Sequence, residues 1–260
     1  MNICLFTQEE INKPLSLKDD RGSHIVKVLH KKAGDSFVSG IIDGPSGISS
    51  IKEITDSEII FDFKPTGEGK PLFPLKMIIG FPRPIQLKRL LRDIAALGVS
   101  EVHLTGTQLG EKSYLKSNVV EDGSAERMLL DGTVQAGGTK VPKLFVHQTL
   151  RECLGAVCGT GTEVNGLEEQ QQAASGNQLK LCLDNIRPVK SLSKALENQP
   201  LEGREIVAAI GGERGWTDRE REFFDEKGFM LCSMGNRIMR TETAATVAGA
   251  IILNELGVMD

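Results

Sequence analysis

The segments that decide the fold read I-V-A-A-I-G-G-E-R-G-W-T-D-R-E-R-E at residues 206–222 and F-M-L-C-S-M-G-N-R-I-M-R-T-E-T-A-A-T-V-A-G-A-I-I-L at residues 229–253. Each begins with a short apolar run, continues through a glycine-containing loop and then opens a helix. Apolar runs without alternation are typical of buried parallel strands. Glycines just past a strand end let backbone approach a ligand closely, and the helix N-termini beyond them favour negative groups. The pattern therefore predicts two strand–loop–helix units on adjacent strands, with a ligand site at their loops.

The two helices carry local signals for where they begin and what they pack against. Thr217 followed by Glu220 has the spacing of a capping box, so the first helix should begin at Asp218. The last helix has apolar residues at helical spacing, namely Ala244, Val247, Ala248, Ile251, Ile252 and Leu256. Gly249 inside it costs about 1 kcal/mol relative to alanine, which predicts that another backbone packs closely there, either within the chain or across a dimer.

Residues 75–205 alternate between short apolar runs and amphipathic segments. The apolar runs predict strands at 75–80, 101–104, 143–146 and 179–183. The amphipathic segments predict helices at 84–97, 121–135, 149–157 and 191–197, with a polar loop at 105–118. This alternation indicates an α/β fold with a mostly parallel sheet and helices on both faces.

The first 70 residues have a different hydrophobic pattern. Apolar–polar runs at 3–6, 35–42, 47–54 and 58–64 are separated by turn residues, and Ser23 is a candidate cap for a short helix at 24–30. Strands at roughly ten-residue spacing with turn chemistry between them favour a small barrel. Residues 64–74 contain three prolines and two glycines, which is typical of a linker. The sequence therefore predicts two domains, residues 1–70 and residues 75–260.

Composition excludes several classes of protein. Hydrophobic residues make up 40% and charged residues 25%, as in ordinary globular domains. The N-terminus lacks a basic region followed by an apolar core, so we expect a cytoplasmic protein. Five cysteines without a Cys-x-x-Cys pair predict neither a disulfide scaffold nor a metal site. Because the net charge is −4, any surface for phosphate must be local, and residues 76–150, with ten basic and seven acidic groups, are the most basic region.

The paired loops carry a family resemblance. I-G-G-E-R-G-W-T at 210–217 and M-G-N-R-I-M-R-T-E-T-A at 234–244 resemble the two loops of SPOUT RNA methyltransferases. More narrowly, they resemble those of the bacterial ribosomal RNA uracil-N3 methyltransferase family, which usually carries I-G-P-E-G-G in the first loop. This chain departs from that family at 212–214 and matches it nearly completely in the second loop. H-I-V-K-V-L-H-K-K-A-G-D at 24–35 is similar to the family's first motif.

The resemblance implies a fold, a cofactor and partners. It implies a PUA-like β-barrel that binds RNA over residues 1–70, and a SPOUT domain with a trefoil knot over residues 75–260. It also implies S-adenosyl-L-methionine as the cofactor, a homodimer, and N3-methylation of a uridine in 16S (small-subunit) ribosomal RNA. Two rival functions stay open: methylation of another RNA such as transfer RNA, and RNA binding without catalysis.

The cofactor site is expected at the two loops and at the end of the preceding strand. S-adenosylmethionine has no phosphates, so close backbone groups and apolar side chains suit it. G-G-E-R-G lacks the spacing of dinucleotide sites, and no P-loop motif occurs. The expected cofactor-binding residues are Leu183, Ile210, Gly211, Gly212, Glu213, Gly215, Met234, Gly235, Asn236, Ile238, Met239 and Thr243. The alternative is that the glycines only form tight strand–helix turns.

Arg240 and Glu242 are the expected catalytic residues, where the second loop meets the last helix. Arg240 would hold a substrate phosphate or stabilise a uracil anion, and Glu242 would orient Arg240 or act in proton removal. The alternative is that Glu242 and Thr243 only cap the helix. It explains Arg240 poorly, because a cation at a helix N-terminus is unfavourable.

RNA contact is expected from two groups of basic residues. They are His24, Lys27 and Lys31 in the first motif, and Arg83, Lys88, Arg89 and Arg92 in the first helix region of the second domain. A solvated basic face is the alternative for both groups. The chain also departs from the family at 134–142, where V-Q-A-G-G-T-K-V-P stands for E-Q-S-G-R-x-x-V-P and replaces an arginine expected to face the substrate.

Overall fold

The structure is a computed structural model that describes residues 2–116, 122–159 and 177–259. The chain divides into two compact units, Met1–Leu72 with Leu130–Val141, and Phe73–Leu129 with Pro142–Asp260. Within the described ranges, no helix combines the length and the apolar character needed to cross a membrane. The predicted loop 105–118 and the predicted helix 121–135 extend into residues 117–121, which lie outside the described residues.

The first unit is built on a curled five-stranded sheet in the order β1-β3-β4-β5-β2. Its elements are β1 Cys4–Phe6, β2 Leu15–Ser16, α1 Asp20–Lys27, β3 Ser36–Ile41, β4 Ser46–Ile54 and β5 Glu58–Gly67. The β1–β3 pair is parallel and the other three pairs are antiparallel. The core contains the fully buried Ile25 and Ile59, and the ring centroids of Phe6 and Phe61 lie 5.1 Å apart.

Two local predictions for this region are wrong. Helix α1 begins after Asp19, whose side chain accepts the Arg21 backbone N–H, and not after Ser23. Asp19 is favoured because its carboxylate also pairs with the Arg21 guanidinium at 2.8 Å. The linker is shorter than residues 64–74, because β5 continues to Gly67 and the next strand starts at Phe73.

Sequence patterns did not indicate that Leu130–Val141 packs with the first unit. Thr139 makes this contact through two hydrogen bonds. Its Oγ1 donates to the Gly44 carbonyl at 2.7 Å, and its carbonyl accepts the Asp43 N–H at 2.8 Å. The turn at 43–44 is therefore held by a segment almost one hundred residues further along the chain.

The second unit confirms the α/β prediction. Seven strands form one sheet in the order β10-β12-β9-β11-β6-β7-β8, and every neighbouring pair is parallel. The strands are β6 Phe73–Gly80, β7 Val99–Thr105, β8 Lys143–His147, β9 Gln178–Leu183, β10 Lys190–Ser191, β11 Glu205–Ile210 and β12 Met230–Ser233. The helices after β6 are α2 Pro84–Ala96, α3 Ser124–Ala136, α4 Leu150–Cys158, α5 Leu192–Leu196, α6 Asp218–Glu226 and α7 Thr241–Glu255, with a 3-10 helix at Lys112–Lys116.

Helices cover both faces of this sheet. Successive residues of a strand point to opposite faces, so each strand packs against helices on both sides. On β6, Ile78 belongs to the same buried cluster as Leu154 of α4. Its neighbour Met77 instead faces α7, where a Cβ added to Gly249 would lie 2.8 Å from Met77 Cε and 3.1 Å from Leu97 Cδ1. Within the chain, side chains and not a second backbone therefore crowd Gly249, so that part of the expectation is wrong, while a backbone from a second copy stays a prediction.

The strand order differs from the prediction in one place that matters for the site. Strands β11 and β12 are not adjacent, because β9 lies between them and pairs with both. All three strands are parallel, so their carboxyl ends meet at the same edge of the sheet. Ligands of open α/β sheets bind at such an edge.

Candidate functional site

The first glycine loop turns back tightly after β11. Gly215 has a φ of 66° and donates its N–H to the Gly212 carbonyl at 2.9 Å. Trp216 Nε1 donates to the Leu183 carbonyl at 3.2 Å, which ties this loop to the end of β9. A Cβ added to Gly80, at the end of β6, would lie 2.4 Å from the Gly212 nitrogen. Only glycine at that position allows the loop to pack against β6.

Helix α6 follows the first loop and begins as predicted. Thr217 is its N-cap residue, and the capping box with Glu220 is complete: each side chain accepts the backbone N–H of the other. Glu220 is buried and also accepts the Gln108 N–H at 2.8 Å. The capping residue therefore also holds the chain that follows β7.

The second loop reaches back to the first. Gly235 has a φ of 101°, a left-handed conformation that favours glycine. Helix α7 begins at Thr241, whose Oγ1 donates to the Gly211 carbonyl at 3.0 Å. This hydrogen bond joins the two loops, although β9 separates the strands that precede them.

Both loops line one cavity of about 730 Å³. Ten of the twelve predicted cofactor residues line it: Leu183, Ile210, Gly211, Gly212, Glu213, Gly215, Met234, Gly235, Ile238 and Met239. The other two, Asn236 and Thr243, are exposed and do not contribute to the lining. The structure thus gathers residues from the end of β9 and from both loops around a single space.

Arg240 and Glu242 also line this cavity. Arg240 is exposed, occupies the N-cap position of α7 and makes no side-chain capping hydrogen bond. Glu242 lies in the first turn of that helix, where a carboxylate is favourable. Over the described ranges, neither side chain takes part in an ion pair, so the charge of Arg240 is not neutralised by a neighbouring carboxylate.

A third segment, residues 184–186, also lines the cavity and was not predicted. Asp184 Oδ1 accepts the N–H groups of Ile186 and Arg187 at 2.8 and 2.6 Å. Asp184 Oδ2 pairs with Arg221 Nε at 2.8 Å, and the two side chains are 1% and 5% exposed. Asp184, Asn185 and Ile186 all contribute to the cavity. The D-N-I-R-P run after a strand is typical of a turn. It is the sequence feature from which this part of the cavity lining could have been predicted.

Two residues at the start of α2, its N-cap Arg83 and Gln86 in its first turn, line the same cavity. Arg83 Nε lies 2.9 Å from Glu213 Oε1, so a predicted RNA-binding cation pairs with a predicted cofactor residue. Gln86 was not predicted. Its buried Oε1 has no hydrogen-bond partner among the described residues. A buried acceptor without a donor costs roughly 1–3 kcal/mol, and Gln86 is therefore placed to accept from a ligand.

The other predicted RNA-binding residues belong to two different units. Those of the first unit are His24, Lys27 and Lys31, and those of the second are Lys88, Arg89 and Arg92. The three on α2 are exposed, because the opposite side of that helix buries its leucines in the core. In the first unit, Lys27 is exposed, whereas His24 and Lys31 are partly buried.

Comparison with known proteins identifies the class to which this site belongs. Residues 68–253 match the model of the RNA methyltransferase domain, which defines the class of protein. The ribosomal RNA small subunit methyltransferase E of Treponema pallidum is 42% identical over 257 residues, which cover 97% of this chain and 91% of that protein. Methyltransferase E 1 of Borreliella burgdorferi is 30% identical over 258 residues, covering 98% and 99%. Within the RNA methyltransferases, the chain belongs to the ribosomal RNA small subunit methyltransferase E family.

Solved structures of other proteins share the fold over nearly the full length of the chain. The methyltransferase E of Neisseria gonorrhoeae, a crystal structure bound to S-adenosyl methionine, has a TM-score of 0.71 at 19% identity and covers 98% of this chain and 97% of its own. A probable rRNA-methyltransferase of Porphyromonas gingivalis has a TM-score of 0.72 at 19% identity, covering 99% and 100%. At this identity the likeness establishes the fold.

Proposed function

We propose that this protein is an S-adenosyl-L-methionine-dependent methyltransferase that methylates N3 of a uridine in 16S ribosomal RNA. The observation that carries the proposal is the convergence of the two glycine loops on one cavity, with Arg240 in its lining. The names of the Treponema and Borreliella relatives support the substrate, and the cofactor bound to the Neisseria protein supports the methyl donor.

The residues of the cavity suit this cofactor. Its volume of about 730 Å³ lies within the roughly 300–1,000 Å³ of small-molecule sites. Leu183, Ile210 and Met239 provide apolar contact for an adenine ring, and the glycine loops provide backbone donors and acceptors. Gln86 Oε1 is a buried acceptor that still needs a donor. When bound, the cofactor supplies an electrophilic methyl group on a sulfonium sulfur.

The side chains at the start of α7 prepare the base for methylation. Uracil N3 is weakly acidic, so it becomes a nucleophile only as its proton leaves. Arg240 provides a fixed positive charge that stabilises the developing anion, a contribution of about 10²–10³-fold for one well-placed donor. Glu242 removes the proton, and a positioned base contributes about 10²–10⁴-fold. The loops hold the two reactants in line, which accounts for much of the remaining acceleration.

The proposal includes the arrangement of protein and RNA. Residues 1–70 form a PUA-like domain that binds RNA through His24, Lys27 and Lys31, and residues 75–260 form the catalytic SPOUT domain, with RNA contacts from Arg83, Lys88, Arg89 and Arg92. The chain over 206–244 is knotted, and two copies form a homodimer through α7 and the knot. Ile238, in the second loop of this segment, is 85% exposed and supports the homodimer, because a second copy would cover it.

In vitro methyl transfer tests the proposal. Purified protein is mixed with radiolabelled S-adenosylmethionine and small ribosomal subunits from a strain without the protein, and the product nucleoside is identified by mass spectrometry. We expect N3-methyluridine, and we expect Arg240→Ala to lower kcat about 10²–10³-fold with unchanged cofactor Kd. Arg219→Ala, an exposed arginine on α6, is the matched control and should retain full activity.

Two outcomes would contradict the proposal. Methylation of transfer RNA but not of small subunits would favour the first rival function. The absence of cofactor binding in calorimetry at millimolar S-adenosylmethionine would favour RNA binding without catalysis.

A further inference from the structure

A second group of reactive side chains lies at the other end of the sheet, away from the strands that line the cavity. It consists of His103 on β7, His147 on the neighbouring edge strand β8, and Cys153 on α4. All three are buried, with 3%, 7% and 0% of their surface exposed. Their Nδ1 or Nε2 and Sγ atoms all lie within 4.8 Å of one another, and His103 Nδ1 is 3.0 Å from His147 Nε2.

We propose that His103, His147 and Cys153 bind one Zn²⁺ ion and thereby fasten the edge strand β8 and helix α4 to β7. Two imidazole nitrogens and one thiolate are a ligand set that zinc prefers. Zinc–nitrogen bonds of about 2.0–2.1 Å place two nitrogens about 3.3 Å apart in a tetrahedral site. The planes of the two rings are inclined by 15° and their centroids lie 5.3 Å apart, so the rings must separate slightly and also turn until both lone pairs point at one ion.

The carboxylates behind the two histidines support this assignment. His103 Nε2 lies 3.1 Å from Glu101 Oε2, so this nitrogen donates to the carboxylate and the lone pair of Nδ1 faces His147. The same hydrogen bond holds the pKa of Glu101 below its ordinary value, and Lys76 Nζ steadies that carboxylate at 3.3 Å. Metal-binding histidines almost always donate their second ring N–H to a carboxylate or carbonyl in this way.

The second histidine has a similar arrangement. His147 Nδ1 lies 3.9 Å from Glu152 Oε1, so this carboxylate can tighten onto the ring when the opposite nitrogen binds a metal. His147 Nε2 faces His103 Nδ1 across the two neighbouring strands, so the second imidazole nitrogen is already beside the first.

Without a metal, the same cluster is held by a proton. His147 Nε2–H then donates to His103 Nδ1, and burial raises the pKa of Cys153 so that it stays a thiol. For zinc to bind, His147 takes its other neutral tautomer, with the ring proton on Nδ1 beside Glu152, which frees the Nε2 lone pair; the thiol proton is released to solvent, since a coordinating thiol is deprotonated. The Glu152 side chain is 54% exposed, so an ion reaches the cluster from the side of this carboxylate.

Cobalt titration of chelator-treated protein tests the site, with Zn²⁺ as competitor and metal content measured by mass spectrometry. We expect one Co²⁺ per chain, with tetrahedral visible bands and a sulfur-to-cobalt charge-transfer band that Zn²⁺ abolishes. The variant Cys153→Ser should lose the charge-transfer band and bind at least about tenfold more weakly. Glu101→Gln should keep the band and bind about 10–100-fold more weakly.

Cys158→Ser is the matched control. Cys158 lies on the same helix and is also buried, with its thiol pKa also raised by burial, but it is not part of the cluster. This variant should bind cobalt like the wild type. Absence of stoichiometric Co²⁺ binding, or an unchanged charge-transfer band in Cys153→Ser, would overturn the proposal. If Cys153→Ser fails to fold by circular dichroism, the affinity of Glu101→Gln decides instead. Either result is independent of methyl transfer.

Discussion

Replacing Arg221 by alanine removes the cation that holds the third wall of the cavity. Arg221 Nε pairs with Asp184 Oδ2 at 2.8 Å, and its Nη1 pairs with Asp218 Oδ1 at 3.0 Å. The Asp184 side chain is 1% exposed, so its charge is compensated by Arg221 and not by solvent. Its other oxygen keeps the N–H groups of Ile186 and Arg187, which limits how far the carboxylate can move.

The size of the effect follows from burial. Removing one partner of a buried ion pair leaves an uncompensated charge and costs about 3–5 kcal/mol. The loss corresponds to roughly two to four orders of magnitude in the ratio of folded to unfolded protein. A matched control lies beside it: Arg187 pairs with Asp218 at the same 3.0 Å, but those side chains are 55% and 67% exposed. Such a surface pair contributes about 0–1 kcal/mol.

Urea unfolding followed by circular dichroism measures both variants, and calorimetry measures their affinity for S-adenosylmethionine. We expect Arg221→Ala to lose about 3–5 kcal/mol of unfolding free energy and to bind the cofactor more weakly, because residues 184–186 line the cavity. Arg187→Ala should lose less than about 1 kcal/mol. Equal losses for the two variants would refute the reasoning, since burial would then not determine the cost.

Three further predictions test other parts of the structure. Gly80→Ala places a Cβ 2.4 Å from a backbone nitrogen of the first loop, so calorimetry should show at least about tenfold weaker cofactor binding. Gly67→Ala is the control: its added Cβ has no atom within 4 Å, and this variant should bind the cofactor normally. Gln86→Leu removes a buried acceptor that lacks a partner, so urea unfolding should show equal or higher stability while calorimetry shows weaker cofactor binding. A hydrogen bond from Arg21 lowers the pKa of Glu10. This carboxylate therefore stabilises the fold at pH values above its pKa in the unfolded chain, about 4. The stabilisation is lost as pH falls through the lower pKa of the folded state. Urea unfolding between about pH 5 and 3 should therefore be less pH-dependent in Arg21→Ala than in the wild type.

Local chemistry explains which structural predictions were confirmed. The start of α6 was predicted because the capping box at Thr217 and Glu220 involves residues three apart. The start of α1 was predicted wrongly because Ser23 and Asp19 are both good caps, and the choice depends on the Arg21 guanidinium as well. The position of β9 between β11 and β12 depends on pairing between distant segments, which periodicity does not reveal.

The same distinction applies to the candidate site. The two glycine loops could be predicted because each has a local signal, a strand end followed by glycine and a helix start. The Asp184–Arg221 pair could not, because its partners are 37 residues apart and each is ordinary in its own segment. The histidines of the proposed zinc site are 44 residues apart, so no spacing motif announces them. Contacts between side chains that are distant in sequence, and that only the sheet brings together, could therefore not be predicted from local sequence patterns.

Nucleoside analysis of small-subunit ribosomal RNA tests the central claim most directly. RNA from cells that lack this protein is digested and compared by mass spectrometry with RNA from the same cells carrying the wild-type gene or Arg240→Ala. We expect N3-methyluridine to be absent without the protein, restored by the wild type and greatly reduced with Arg240→Ala. Full N3-methyluridine in the cells without the protein, or full restoration by Arg240→Ala, would contradict it.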